Sequence, residues 1–221
     1  LRTSSAASDV YKRQRFVWDS RHSSLSGVPY AYIEGSFRGH KAIPGKYTLT
    51  LVVGETSYNS EFEILKNPNF SVSDEDYLDL DKYATHMESN FNEMAKYINS
   101  NKKLMDKLGV LVKELDENPE VKENGKKLLE LMDNWDKKMM QRMSKAYDDV
   151  ENFPNKFLAD YLFILDEIKG DIPNVSEGIL KSLKSHDEKW VKLKKEIDGI
   201  NQVNIPEYNK ELWSIGIGAL N

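Results

Sequence analysis

The spacing of the apolar residues changes once along this chain, at Asn67–Pro68. After that point, apolar side chains recur every three or four residues from Tyr77 to Leu115, the pattern of a helix packed against other helices. Before it they occupy every second position, which is the pattern of a strand with one buried face, as in Tyr47, Leu49, Leu51 and Val53 and again in Tyr58, Ser60, Phe62 and Ile64. The sequence therefore predicts an α+β protein in which a small β domain precedes a long helical one.

The domain boundaries follow from this change of period. We predict a partial Ig-like β domain over residues 15–66, a linker over 67–72 and a helical bundle over 73–221. Residues 1–14 stand apart, because Ser4 to Gln14 matches the in-frame translation of a common transposon sequencing adapter. We interpret residues 1–14 as a disordered, adapter-derived scar, so we expect the natural protein to continue upstream of Arg15.

Four strands are predicted in the β domain. The strongest pair is joined by a tight Gly54–Glu55 turn, which is typical of a β-hairpin. Four strands form about half of a sandwich, so we expect a truncated antiparallel Ig-like sandwich with an unpaired edge. The predicted strands are Phe16–Trp18, Tyr30–Ile33, Lys46–Val53 and Thr56–Leu65.

The helical domain is expected to be an antiparallel bundle built on a long hairpin. Asn118–Pro119 separates the first two helices, and so short a connection folds the second helix back along the first. Asn101 is a polar residue on the apolar seam of the first helix, where it is expected to fix register at a cost in stability. The first helix is predicted to begin at a cap, either Ser71 or Ser73, and to run to about Glu117. The second is predicted from about Glu120 to Glu151, and the third carries Phe157 and ends at Gly170. The last two are predicted from about Ser176 to Asp198, with Gly199 as a stop, and over Val203–Leu212.

Charge and cysteine content exclude several classes of function. Without residues 1–14, the chain loses three basic residues and one acidic residue, so its formal charge changes from −5 to −7. An acidic chain lacks the basic surface that binds nucleic acid, and no apolar run reaches the ~20 residues of a membrane span. The absence of cysteine excludes a disulfide framework and a thiolate metal site.

No catalytic residue, cofactor site or metal site is predicted. Glycoside hydrolysis needs two carboxylates roughly 5–10 Å apart, and among the many acidic residues we single out Asp19, as either a catalytic or a structural carboxylate. The four histidines lack the helical spacing of a metal site. His186 falls on a helix seam and is expected to be a core or boundary residue. These histidines are His22, His40, His86 and His186.

Aromatic residues near the loops of the β domain form the candidate interface. Tyr30, Tyr32 and Phe37 could provide a platform for a sugar, or they could belong to an Ig-like core and its contact with a neighbouring domain. Trp18, on the first predicted strand, completes the candidate interface.

Parts of the chain resemble a known family. Phe16–Asp19, Val28–Pro29 and Gly39–Leu51 resemble the Ig-like module of bacterial sortilin-type β-propeller proteins, which carry BNR repeats and are usually described as glycosyl hydrolases. The shared pattern is a Trp-Asp strand followed by a Pro-Gly-x-Tyr turn, and His40 stands where the family usually has proline. In the helical half, the resemblance covers Val72–Tyr77, Asn152–Phe157 and Ile205–Leu212.

The resemblance implies a role for the chain within a larger protein. The propeller, with any glycan chemistry, would lie upstream of Arg15 in an exported protein, periplasmic or extracellular, and Asp19 would be a structural strand-end residue. We therefore expect a non-catalytic accessory region that packs against or spaces the propeller. The alternative is a module that binds a glycan or a protein through its β face or through the helical hairpin tip near Asn118.

Overall fold

The described residues have a mixed α+β fold in which a two-stranded antiparallel sheet precedes five α-helices. The computed structural model describes residues 15–170 and 172–220, so the prediction for residues 1–14 lies outside the described residues. A 3₁₀ turn, Tyr147–Glu151, lies between the second and third helices. The elements are β1 Gly45–Val53, β2 Thr56–Ile64, α1 Asp74–Glu114, α2 Pro119–Met139, α3 Phe157–Ile168, α4 Glu177–Gly199 and α5 Ile205–Ser214.

The long helix α1 begins at a capping box. The Ser73 side chain accepts a hydrogen bond from the Asp76 backbone N–H at 3.1 Å, and the Asp76 carboxylate accepts one from the Ser73 N–H at 2.7 Å. Asp74 and Glu75 add negative charge in the first turn, where the helix dipole favours it. The three acidic residues of the first turn therefore stabilise the N-terminus of this helix, which spans 41 residues.

Helix α2 runs back along α1 and covers part of its apolar seam. Asn101 of α1 donates a hydrogen bond to the Met132 carbonyl of α2 at 3.1 Å. Nearer the connection, Gly125 lies so close to Val112 that a Cβ at this glycine would come within 2.8 Å of a valine methyl group. The seam is completed by α3, whose inward side chains pack with those of α1 in one hydrophobic core.

The predicted end of the second helix is wrong. Helix α2 stops at Met139 and not at Glu151, because residues 140–146 leave the helix to contact another part of the chain. Arg142 turns back to make two hydrogen bonds to the buried carboxylate of Asp136, at 2.6 and 2.7 Å, and Met143 is exposed. Helix α4 does end at Gly199, but this glycine keeps a helical φ of −60° and the chain continues into a wider turn.

A π turn, Ile200–Asn204, joins α4 to α5. Its backbone bond runs from the Ile205 N–H to the Ile200 carbonyl, and both of these isoleucines are buried. Pro206, which follows at the start of α5, has no N–H to donate and its ring disturbs the preceding turn. The chain therefore widens its helical turn here and still buries the two isoleucines.

The β half differs from the prediction in its number of strands. The hairpin β1–β2 is regular, with Tyr47 paired to Phe62 and Leu51 paired to Tyr58. The predicted strands Phe16–Trp18 and Tyr30–Ile33 are not strands, and the described residues form no sandwich. Around residue 30 the backbone bonds to the helical half instead of to another strand: the Tyr32 N–H donates to the Ser144 carbonyl at 2.9 Å.

Residues 20–42, which we call the strap, cross the helices in an irregular conformation. Its backbone groups are bonded by helix side chains: the Ser26 N–H donates to Asn92 of α1 at 2.7 Å, and the Ser36 N–H donates to Asp166 of α3 at 2.8 Å. Leu25 and Val28 enter the hydrophobic core. The strap therefore joins the helical layer, and the hairpin follows directly after it.

None of the helices among the described residues has the length and apolar character needed to cross a membrane.

Candidate functional site

Two histidines of the strap and two carboxylates of α1 form a polar cluster at the contact between these elements. Asp81 and Glu88 lie seven residues apart on α1, which places them two helical turns apart on the same side. His40 inserts its ring between them, and His22 lies over His40. We call these four residues the histidine–carboxylate cluster.

His40 is bonded at every polar atom that faces α1. Its Nδ1 lies 3.0 Å from Oε2 of Glu88, and its Nε2 lies 3.1 Å from Oδ1 of Asp81. Its backbone N–H also donates to Oε1 of Glu88 at 2.7 Å. The residue is 1% exposed. Its contacts with Asp81 and Glu88 therefore replace the hydrogen bonds to water that the imidazole loses on burial.

Local pairing within the strap places His22 on His40. The His22 N–H donates to the His40 carbonyl at 2.9 Å, and Ala42 and Ser20 pair in the same way at 2.8 Å. The two imidazole rings stack with centroids 3.9 Å apart and planes 13° apart. Gly39 allows this approach, because a Cβ there would lie 2.4 Å from the His22 carbonyl oxygen.

The two histidines have opposite pKa shifts. Burial disfavours the charged form of His40, but its hydrogen bonds to Glu88 and Asp81 outweigh that effect and raise its pKa. Burial and the neighbouring His40 lower the pKa of His22, although Asp81 and Glu88 act in the opposite direction. The cluster thus favours one positive charge, on His40, between two carboxylates.

The same cluster contains ligand atoms that suit a cation. One side-chain atom each from His22, His40 and Asp81 lies within 4.8 Å of the others. Imidazole nitrogen and carboxylate oxygen are ligands of zinc and of other divalent transition metals. Glu88 contacts Nδ1 of His40, the ring nitrogen that faces away from Asp81, as the carboxylates that orient metal-bound histidines do.

The predicted interface residues do not come together. Phe37 packs edge-to-face on Phe91 of α1 at 5.7 Å and belongs to the core contacts of the strap. Tyr30 is exposed, with a left-handed φ of 68°, and Tyr32 is half-buried. Trp18 lies elsewhere, on the β-hairpin.

Trp18 belongs to an aromatic group on one face of the hairpin. Its ring lies 6.3 Å from that of Tyr47 and 5.9 Å from that of Phe62, and these two rings stack at 5.7 Å. The remainder of this face is exposed and mainly apolar, and Leu51 and Tyr58 are each 59% accessible. We call this surface the apolar face of the hairpin. Its apolar residues are Trp18, Tyr47, Leu49, Leu51, Val53, Tyr58 and Phe62.

The other residues considered from the sequence have structural partners. The carboxylate of Asp19 pairs with the Arg38 guanidinium at 2.8 Å, which lowers the pKa of this exposed carboxyl. His86 contacts Asp187 at 2.8 Å, so it links α1 to α4. His186 stacks on Phe157 and contacts the Ser182 carbonyl at 2.8 Å, as expected of a boundary histidine.

Sequence reasoning missed the cluster because its members are far apart along the chain. His22 and His40 lie on an irregular segment, and the two carboxylates are more than 40 residues further on. A weak signal exists in α1, where Asp81, Glu88 and Ala95 follow one another at heptad spacing beside the seam. Glu88 is buried although glutamate on a helix is usually exposed.

Comparison with known proteins adds no assignment: no family model, no curated protein and no solved structure matches this chain.

Proposed function

We propose that this chain is a non-catalytic accessory region, in which the helical layer holds an incomplete antiparallel β layer against a sortilin-type β-propeller of the same exported protein. In this proposal, β1 and β2 belong to an Ig-like sandwich whose other strands come from the segment that joins the propeller. The resemblance of Phe16–Asp19 and Gly39–Leu51 to the Ig-like module of that family supports the identity of the partner.

The single observation that carries the proposal is the exposure of the apolar face of the hairpin. One face of the hairpin is mainly apolar, with Thr56 and Ser60 as exceptions, and the other is mainly polar, as at Thr48 and Glu61. Such an alternation is typical of a sheet with one buried face, yet Leu49 is 53% exposed and Val53 is 59% exposed. An isolated two-stranded hairpin is marginally stable in water, so the pattern favours further strands that cover this face.

The proposal is tested by comparing the chain alone with the complete protein encoded by its natural gene. Hydrogen exchange of residues 45–64 should slow in the complete protein, because added strands bond the edges of the hairpin and exclude water. Lysine at Leu49 and Leu51 should abolish this protection, whereas lysine at Thr48 and Thr50, on the opposite face, should preserve most of it.

Two results would contradict the proposal. Equal exchange of the hairpin in the chain alone and in the complete protein would show that nothing covers it. Hydrolysis of a glycan by the purified chain would show that the region is itself an enzyme.

A second candidate function is glycan binding on the aromatic part of the same face. Trp18, Tyr47 and Phe62 form a continuous ring cluster, and aromatic faces suit the apolar faces of sugars. Titration with soluble oligosaccharides should then change the fluorescence of Trp18, and Trp18→Ala should remove that change. An unchanged spectrum at saturating oligosaccharide, with the hairpin protected in the complete protein, favours the accessory function.

A further inference from the structure

We propose that His22, His40 and Asp81 bind one divalent transition-metal ion, of which zinc suits the ligand set best, and that this ion fastens the strap to α1. The ligand atoms are Nε2 of His22, Nε2 of His40 and an oxygen of Asp81. The site is separate from the apolar face of the hairpin and does not depend on the proposed accessory function.

The two distances from Asp81 Oδ1 to the histidine nitrogens are close to those of a tetrahedral site. Bonds of about 2.0–2.1 Å to zinc place neighbouring ligands roughly 3.3 Å apart. The structure has 3.1 Å between His40 Nε2 and Asp81 Oδ1 and 3.8 Å between His22 Nε2 and the same oxygen. The stacked His22 ring must tilt to close the site, and its side chain, 45% exposed, has room to do so.

Glu88 prepares His40 for this role. Metal-bound histidines generally donate their other ring N–H to a carboxylate, which fixes the tautomer and the orientation of the ring. Here Oε2 of Glu88 lies 3.0 Å from Nδ1 of His40, and Oε1 holds the backbone N–H of the same residue. With one proton held on Nδ1 by Glu88, a metal ion that binds Nε2 displaces the other ring proton of His40 to solvent.

Charge and access also fit a divalent ion. The carboxylates of Asp81 and Glu88 together offset its two positive charges, and the two ligand imidazoles are neutral when they bind a metal. The side chain of Asp81 is 37% exposed, so an ion can enter from solvent and keep water in its fourth position. The ion joins two strap residues to one residue of α1, and metal binding therefore stabilises the fold.

The test uses the chain without a histidine tag, freed of metal by a chelator and then titrated with Zn²⁺. Calorimetry should give saturable binding of one ion per chain in the micromolar range or tighter, and the melting temperature should rise with free Zn²⁺. Co²⁺ should give the visible absorption bands of a tetrahedral N/O site. The absence of saturable binding to the unmodified chain would overturn the proposal.

Matched variants locate the ion. His22→Gln and Asp81→Asn change partly exposed ligands, so the variants should fold, and each should weaken Zn²⁺ binding at least tenfold. Glu88→Gln should weaken it about tenfold through His40. The control is His86→Gln. It removes a partly exposed histidine that pairs with a carboxylate but lies on α1, outside the cluster, and this variant should bind Zn²⁺ like the unmodified chain.

The remaining outcomes contradict the site. Equal affinity in His22→Gln, Asp81→Asn and the unmodified chain would place the ion elsewhere. Loss in His86→Gln would place it at the contact between α1 and α4, and loss in one of the two ligand variants without the other would show a smaller ligand set than the one proposed.

Discussion

The β-hairpin and the strap are neighbours in sequence and opposites in structure. The hairpin has a regular ladder from Gly45–Ile64 to Val53–Thr56, yet most of its side chains are exposed. The strap has no regular element, yet it places Leu25 and Val28 in the core and bonds its backbone to α1, α3 and the loop after α2. Regular backbone pairing and tertiary anchoring are therefore separate properties in this protein.

The hairpin and the strap also differ in the partners that bond their backbone N–H and C=O groups. In the hairpin, the backbone groups on the inner edge of each strand bond to the other strand and not to the helices. In the strap, side chains such as Asn92, Asp166 and Glu88 supply the bonds that a ladder would provide. Substitutions of helix side chains that bond the strap should therefore lower the free energy of unfolding more than substitutions in the hairpin.

The largest effect is expected from Glu88→Ala, measured by urea denaturation in the presence of a chelator. The change leaves Nδ1 and the backbone N–H of His40 without a partner in a buried site, so the free energy of unfolding should fall by about 3 kcal/mol. Asp79→Ala, at an exposed position of the same helix, is the control and should stay within about 0.5 kcal/mol. Equal effects of the two changes would show that the strap is not anchored at His40.

Phe37→Ala should destabilise the protein by roughly 2 kcal/mol, because it removes a half-buried ring that packs on Phe91. Leu51→Ala is the corresponding change in the hairpin, where the side chain is 59% exposed, and it should cost less than about 0.5 kcal/mol. Thermal denaturation of both variants measures the contrast. A larger cost for Leu51 would mean that the hairpin is buried in solution.

Asn101→Leu should raise the free energy of unfolding by about 1 kcal/mol, since the buried Oδ1 of Asn101 has no hydrogen-bond partner among the described residues. Asn59→Leu is the control, because that amide is exposed on the hairpin and bonds to Thr50. Differential scanning calorimetry compares the two. A lower melting temperature for Asn101→Leu would show that its bond to the Met132 carbonyl outweighs the unsatisfied oxygen.

The smallest effect on stability is expected from Leu49→Thr. Threonine keeps a high strand propensity, so the free energy of unfolding should change by less than about 0.5 kcal/mol. The same change makes the apolar face more polar, and self-association measured by analytical ultracentrifugation should decrease. If the unmodified chain self-associates and Leu49→Thr does so equally, the surface that joins the copies lies outside the apolar face of the hairpin.

Several elements could be predicted from the sequence because local signals determine them. The hairpin follows from alternating apolar residues and a tight turn, and α1 follows from the capping residues Ser73 and Asp76 and a long three-four repeat. The end of α2 could not be predicted, since the helical pattern continues past Met139. Competition with the strap, which bonds to Ser144, decides that end.

The candidate site was less predictable than the fold. The aromatic residues Tyr30, Tyr32 and Phe37 lie close together in sequence, and this suggested a shared surface. In the strap, however, Tyr30 is exposed while Phe37 packs on Phe91 of the core. His22, His40 and Asp81 showed no spacing that links them, yet the structure brings them together.

The sequence by itself determined the division into an alternating β part and a heptad-like helical part, because periods of two and of three to four residues follow from backbone geometry. The tertiary structure alone decided that residues 20–42 become a strap and that His40 enters between Asp81 and Glu88. Contacts of this kind join residues that are distant in the chain, and they depend on how the elements pack.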